Sequence, residues 1–213
     1  MAQLSIVASS SLSSIRLLGG EPLLHPQILD FVFVTRQAFP NAFIEIVTNG
    51  ILLLEQDDNF FNTLNKYNIS IFLSDYYLNS KIRELVVNKL NQYRIGEKRL
   101  FIKPALNLHG SDGIKNLEIC YEIFQDPCFN LRNGYIYHCP TEAYFDLFAD
   151  YFNIKLKDFS ITDNGINIFT STLEEIEDYI NKPSNFCKYC SMNDKMIELP
   201  WSLTQKKMSE WLA

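Results

Sequence analysis

At 213 residues, with 47% hydrophobic and 21% charged side chains, the chain can build one large core or two small ones and is too apolar for extended disorder. A net charge of −6 and a pI near 5.1 exclude a broad nucleic-acid-binding face, which needs clustered cations to displace phosphate counterions. No apolar run approaches the roughly 20 residues that span a bilayer, and the opening residues lack a charged and then apolar leader, so the expectation is a cytoplasmic protein without membrane contact.

From Ile15 to about Pro104 two patterns alternate. Strands are expected at Ile15–Leu18, Ala42–Val47, Ile69–Leu73 and Arg99–Lys103, and helices near Pro26–Ala38, Leu54–Lys66 and Ser80–Gln92. The last helix repeats Ile82, Leu85, Val86 and Leu90 at three-to-four spacing. Strand, helix, strand at roughly 30 residues per unit predicts parallel pairing with right-handed crossovers, and at least four βα units of an open barrel. Ligands in such sheets sit at the carboxyl ends of the strands, here Gly19-Gly20-Glu21, Thr48-Asn49-Gly50, Ser74-Asp75 and Pro104. Asp57-Asp58 and Glu97-Lys98-Arg99 read as solvated loops.

Asn107–Gly113 is loop-like and marks a boundary. Beyond it, Phe129–Asn133 and Tyr135–His138 flank Gly134, and Asn-Gly between such runs predicts a hairpin. Helices are expected near Thr141–Tyr151 and over Thr172–Asn181, the second with Glu174, Glu175 and Glu177 near its positive end and Pro183 as its stop. Trp201, Leu203, Met208 and Trp211 suggest a C-terminal helix docked on the domain.

Two constellations carry chemistry. The first is Ile15-Arg16-Leu17-Leu18-Gly19-Gly20-Glu21-Pro22-Leu23-Leu24-His25-Pro26: a short strand, a Gly-Gly pair expected to turn where a Cβ would clash, and one carboxylate. Pro22 and Pro26 lack amide donors, so the chain cannot continue as a central strand. A glycine-rich elbow with an acidic side chain suits a ligand bearing an ammonium group, although Gly-Gly turns are common in their own right. The second is cysteine usage. All five cysteines fall between Cys120 and Cys190, as Cys120-x7-Cys128-x10-Cys139 and, after a gap of 47 residues, Cys187-x2-Cys190. A CxxC turn with further thiols suggests metal binding over disulfides; zinc, an iron–sulfur cluster and inert buried thiols all stay open. His138, next to Cys139, reads as structural, with ligation of a cluster or a hydrogen bond to its sulfur as the alternative, and His25 reads as orienting the turn.

The elbow closely resembles the GGEP element of radical S-adenosylmethionine (radical SAM) enzymes, in which this segment binds the cofactor's methionine amino group. The resemblance implies SAM-binding roles for Gly19, Gly20, Glu21 and Pro22, joined by Asn49 and Ser74 at neighbouring strand ends. The family's CxxxCxxC loop precedes this element and holds a 4Fe–4S cluster. Here fourteen residues precede Ile15, none of them Cys, and Met1–Ser14 looks like the tail of the helix that follows that loop. The chain thus resembles a member lacking its first βα unit, from a truncated reading frame or a start codon placed too late. Cys120-x13-Gly134-x4-Cys139 with the later CxxC is similar to the SPASM extension of these enzymes in a shortened, twitch-like form. That implies one auxiliary 4Fe–4S cluster on Cys139, Cys187 and Cys190, with Cys120 and Cys128 competing for the fourth place.

The expected architecture is a partial radical SAM-type α/β barrel over 1–106 and a small α+β cluster-binding extension over 107–213. In intact relatives a 5′-deoxyadenosyl radical modifies a peptide or small metabolite, with electrons from a reductant protein. This chain alone is expected to have lost reductive SAM cleavage and to keep weak SAM affinity at best. The alternatives are an electron-transfer or scaffold protein keeping one cluster, a split enzyme completed by a partner, and a structural zinc domain. An unpaired edge at Ile15–Leu18 would favour self-association.

Overall fold

The computed structural model describes residues 1–8, 11–74, 80–92, 102–124, 129–157, 159–160, 164–198 and 205–212. The chain is mixed α/β and divides into two compact units, Met1–Phe101 and Ile102–Ala213. No helix among the described residues is long and apolar enough to cross a membrane.

The first unit contains α1 (Ala2–Ala8), β1 (Ser14–Leu17), α2 (Ile28–Ala38), β2 (Phe43–Thr48), α3 (Asp58–Lys66), β3 (Ile69–Leu73) and α4 (Ser80–Gln92). Two 3₁₀ turns, Pro22–Leu24 and Ile51–Glu55, follow β1 and β2. The strands form one parallel sheet in the order β1-β2-β3, with rungs Ile15–Ile44–Ile69, Arg16–Glu45–Ser70 and Leu17–Ile46–Ile71. Period-two alternation puts Ile44, Ile46, Ile71 and Leu73 on one face, where all are buried, as are Val32 of α2 and Phe61 and Leu64 of α3. Each such side chain contributes roughly 1.5–3 kcal/mol by leaving water.

Arg36, in the last turn of α2, fastens the lower rim of this sheet. Its guanidinium donates to the carbonyls of Phe39, Pro40, Ala42, Tyr67 and Asn68, which ties the ends of α2 and α3 to the approach to β2. Asp57, expected in a solvated loop, instead caps α3, its carboxylate accepting from Phe60 N at 2.8 Å. A carboxylate there satisfies an amide that the first helical turn leaves without a partner.

The second unit contains β4 (Ile102–Leu106), α5 (Gly113–Phe124), β5 (Asn130–Arg132), β6 (Tyr135–Tyr137), α6 (Pro140–Ala143), α7 (Phe145–Phe152), β7 (Ile166–Asn167), α8 (Leu173–Ile180) and β8 (Cys190–Glu198). The expected fourth parallel strand is overturned here. β4 pairs antiparallel with β8, register Leu106–Cys190 and Ala105–Ser191, and belongs to this second unit. Pro104, expected at a strand end, lies inside β4, where the register shifts between Pro104 and Ala105 because proline has no amide to offer the ladder. The boundary between units therefore falls before β4, ahead of the expected loop.

β5, β6 and β7 form an antiparallel sheet in that order. Asn133 (φ 52°) and Gly134 (φ 82°) both occupy the left-handed region, as a tight hairpin turn requires. The single helix expected over Thr141–Tyr151 is two helices broken at Tyr144. Leu106, Phe145, Phe186 and Tyr189 form a small aromatic core, against which Phe148, Phe159 and Leu212 pack. Trp211 meets Phe148 edge-on at 5.8 Å and its carbonyl accepts from Leu106 N; Met208–Glu210 is one 3₁₀ turn, and Trp201 and Leu203 lie outside the described residues.

Candidate functional site

The elbow lies at the carboxyl end of the parallel sheet, and Glu21 is its tie. Glu21 Oε1 accepts from Leu23 N (3.1 Å) and Thr48 Oγ1 (2.8 Å), while Oε2 accepts from Asn49 N (2.9 Å). Thr48 then extends the seam, since its carbonyl accepts from Ser74 N at 2.8 Å and its hydroxyl from Gly50 N at 3.1 Å. Glu21, Asn49 and Ser74 are thereby aligned across the ends of β1, β2 and β3. Thr48, 1% exposed, was expected at a strand end but given no role of its own. Its signal was a hydroxyl at the last strand position, immediately before Asn-Gly.

This geometry changes two roles. The Glu21 carboxylate is spent on the protein, so it shapes the elbow rather than presenting an open carboxylate to a ligand. The Gly-Gly pair was expected to avoid a clash, yet a Cβ built on Gly19 or Gly20 meets nothing within 4 Å, and neither residue has a positive φ. Both are exposed. The fold does not require glycine at either position; what glycine leaves is bare peptide that a ligand can approach closely. Pro22 opens a 3₁₀ turn as its first residue and is buried. Asn49 Oδ1 accepts from Ile51 N, and Gly50 is left-handed at φ 83°, so this pair is also a true turn. His25 Nδ1 accepts from Gln27 N, bracing the turn beyond the elbow. Beside the elbow, a cavity of about 340 Å³ is lined by Leu23, His25, Leu29, Glu55, Asp57 and Phe60, among others. Asp75 lies outside the described residues.

In the second unit, four elements carry the four described thiols. Cys187 opens a 3₁₀ turn, Cys190 opens β8, Cys120 is on α5, and Cys139 caps α6. The CxxC turn is seated against α5 through Gly113, Asn116 and Cys120, positions that share one helical face. A Cβ on Gly113 would lie 3.1 Å from Lys188 N, tighter than an ordinary contact, so glycine eases this close approach of the helix. Asn116, 2% exposed, points its amide nitrogen at Ser111 Oγ (2.9 Å), Cys187 O (2.8 Å) and Cys190 O (2.6 Å). It aligns the carbonyls of both CxxC cysteines, and no local sequence signal marked it.

The thiols feel one another. Burial pushes the Cys190 thiol up to about 12, and the nearby Cys120 and Cys187 add to the rise. Burial likewise raises Cys187, and raises Cys139 well above the ordinary thiol range, with Glu142, Cys190 and Cys187 contributing. Glu142 N lies 3.4 Å from Cys139 Sγ, and Ser184 Oγ lies 3.6 Å from Cys187 Sγ. Cys128 lies outside the described residues. Among the described residues, no three His, Cys, Asp or Glu side chains are grouped closely enough to hold a single metal ion.

His138 and Glu142 complete the surroundings. His138 Nε2 faces the carbonyls of Tyr179 (3.1 Å) and Lys182 (2.7 Å), so this nitrogen carries the proton. Glu142, fully buried, accepts from His138 N through Oε2. Among the described residues Glu142 Oε1 and His138 Nδ1 are buried without a hydrogen-bond partner, although His138 Nδ1 lies 3.6 Å from Glu142 Oε2. No family model and no curated protein matches the chain.

Proposed function

We propose that this is a radical SAM-type protein whose first unit binds a SAM-like nucleotide at the Gly19-Gly20 elbow and whose second unit holds a 4Fe–4S cluster on Cys120, Cys139, Cys187 and Cys190. One observation supports the reading: the GGEP-like elbow follows the first strand of a parallel sheet, and Cys120 and Cys139 are near one CxxC turn. Bare Gly19 and Gly20 peptide, with Asn49 and Ser74 alongside, suits the amino-acid end of the nucleotide. The all-thiolate donor set suits iron–sulfur. Such a cluster supplies one-electron transfer or substrate ligation. The CxxxCxxC thiolates that open reductive cleavage are not among these 213 residues, so the reading assigns binding rather than turnover. Its substrate would be a peptide or a small molecule, with a reductant protein as partner.

Anaerobic reconstitution with iron and sulfide tests this reading. The expected result is a broad visible thiolate-to-iron absorbance, lost in Cys187→Ser/Cys190→Ser. SAM binding by calorimetry should be lost in Gly20→Ala. Zinc uptake with no iron uptake would select the structural zinc reading, and the absence of SAM binding would remove the nucleotide site.

A further inference from the structure

The sheet of the first unit has a second face, opposite the buried isoleucines, and it carries one ion pair. We propose that Arg16 on this face is an oxyanion subsite for a small carboxylate with an apolar body. Arg16 lies in the rung Arg16–Glu45–Ser70. Its Nε donates to Glu45 Oε1 at 2.6 Å, and the Glu45 side chain is 3% exposed while that of Arg16 is 36% exposed. The guanidinium carbon lies 5.4 Å from the centre of the Phe72 ring, within cation–π range.

Neutralising Glu45 occupies Nε alone. Neither terminal nitrogen of Arg16 has a protein partner among the described residues. A lysine would balance the Glu45 charge equally well. What arginine adds is a planar outer edge with parallel N–H groups that grip a carboxylate at two points. That plane is already oriented by a buried carboxylate and an aromatic ring, so little side-chain freedom is lost on binding. The next rung of the same face presents Val47 and Phe72, both apolar, and the exposed Leu18 follows the end of β1. Gly20 follows Arg16 by four residues, at most about 13 Å of chain at about 3.3 Å per residue. A ligand anchored by its carboxylate at Arg16 would lay its apolar body along this strip towards the elbow.

The inference names a substrate class for the proposed function and rests on that reading only for what occupies the elbow. Its test uses the metal-free full chain without SAM, so failure of the iron or SAM experiments leaves it standing, and its own failure leaves them standing. Hexanoate is titrated while the Nε resonance of Arg16 is followed by ¹⁵N NMR, with hexanol as the probe lacking a carboxylate. The expected result is a saturable hexanoate shift that hexanol does not produce. Arg16→Lys, which keeps the charge facing Glu45, should weaken hexanoate binding at least about tenfold. An unmoved Arg16 resonance, an equal response to hexanol, or undiminished binding by Arg16→Lys would overturn it; the first two are read on the unaltered protein and do not depend on a variant folding.

Discussion

The elbow and the thiol set solve opposite electrostatic problems. At the elbow, the single carboxylate of Glu21 is matched by two amides and a hydroxyl, so the loop is finished before any ligand arrives. Around the CxxC turn, the carbonyls of Cys187 and Cys190 are matched by Asn116, but burial and the neighbouring Glu142 push the Cys139 thiol well above its ordinary range. The first site is preorganised and indifferent to occupancy. The second has its backbone arranged and its charge left open, the condition in which metal loading and folding stability are coupled.

The sharpest break of this contrast is metal loading. Iron and sulfide should raise the melting temperature of the intact chain in a thermal scan, and the increment should vanish in Cys187→Ser/Cys190→Ser. SAM without metal should raise the melting temperature only slightly, by as much as its affinity for the elbow dictates, and not at all in Gly20→Ala. Next in size is Asn116→Leu, which strips the donor from two cysteine carbonyls and is expected to cost about 2–3 kcal/mol in urea unfolding. A loss below about 0.5 kcal/mol would mean that the turn holds itself.

At the elbow, Glu21→Ala should cost about 1–2 kcal/mol by leaving Asn49 N and Thr48 Oγ1 unmatched. Gly20→Ala should cost less than about 0.5 kcal/mol, because open space surrounds the added methyl, and still abolish nucleotide binding. Equal losses from both variants would dissolve the separation between tie and cradle.

The smallest effect concerns Asp146, whose carboxylate forms two bonds with Arg132 at 2.6 and 2.9 Å. The Arg132 hydrogen bond is the leading reason its pKa is held below the usual carboxylate range. The unfolded chain therefore binds a proton more readily, and the pair's contribution is fully present above the ordinary Asp pKa. It fades as pH falls through the lower, folded value. Both groups are partly exposed, so Asp146→Asn should remove about 0.5–1 kcal/mol at neutral pH and nothing in strong acid, by urea titration at both pH values.

Legibility from sequence followed the range of each interaction. α4 and β3 have the expected bounds because apolar spacing over a dozen residues or fewer specifies them. The Asn133-Gly134 turn and the Thr172 cap of α8, with its reciprocal Glu175 bond, are likewise local chemistry. The partner of β4 was not legible, since β8 lies some 85 residues away and an isolated strand sequence does not state its direction. Asn116 was invisible for the same reason: its acceptors are 71 and 74 residues downstream. Glu21 was visible as a residue but not in its role, which only the positions of Thr48 and Asn49 disclose.

Arg36 has a consequence of a different kind. It grips five peptide oxygens and no carboxylate, so lowering the pH takes nothing from its hold. The other arginine of this sheet, Arg16, leans instead on one carboxylate, Glu45. The hem stitched by Arg36 therefore holds the ends of two helices together without drawing on any acidic side chain.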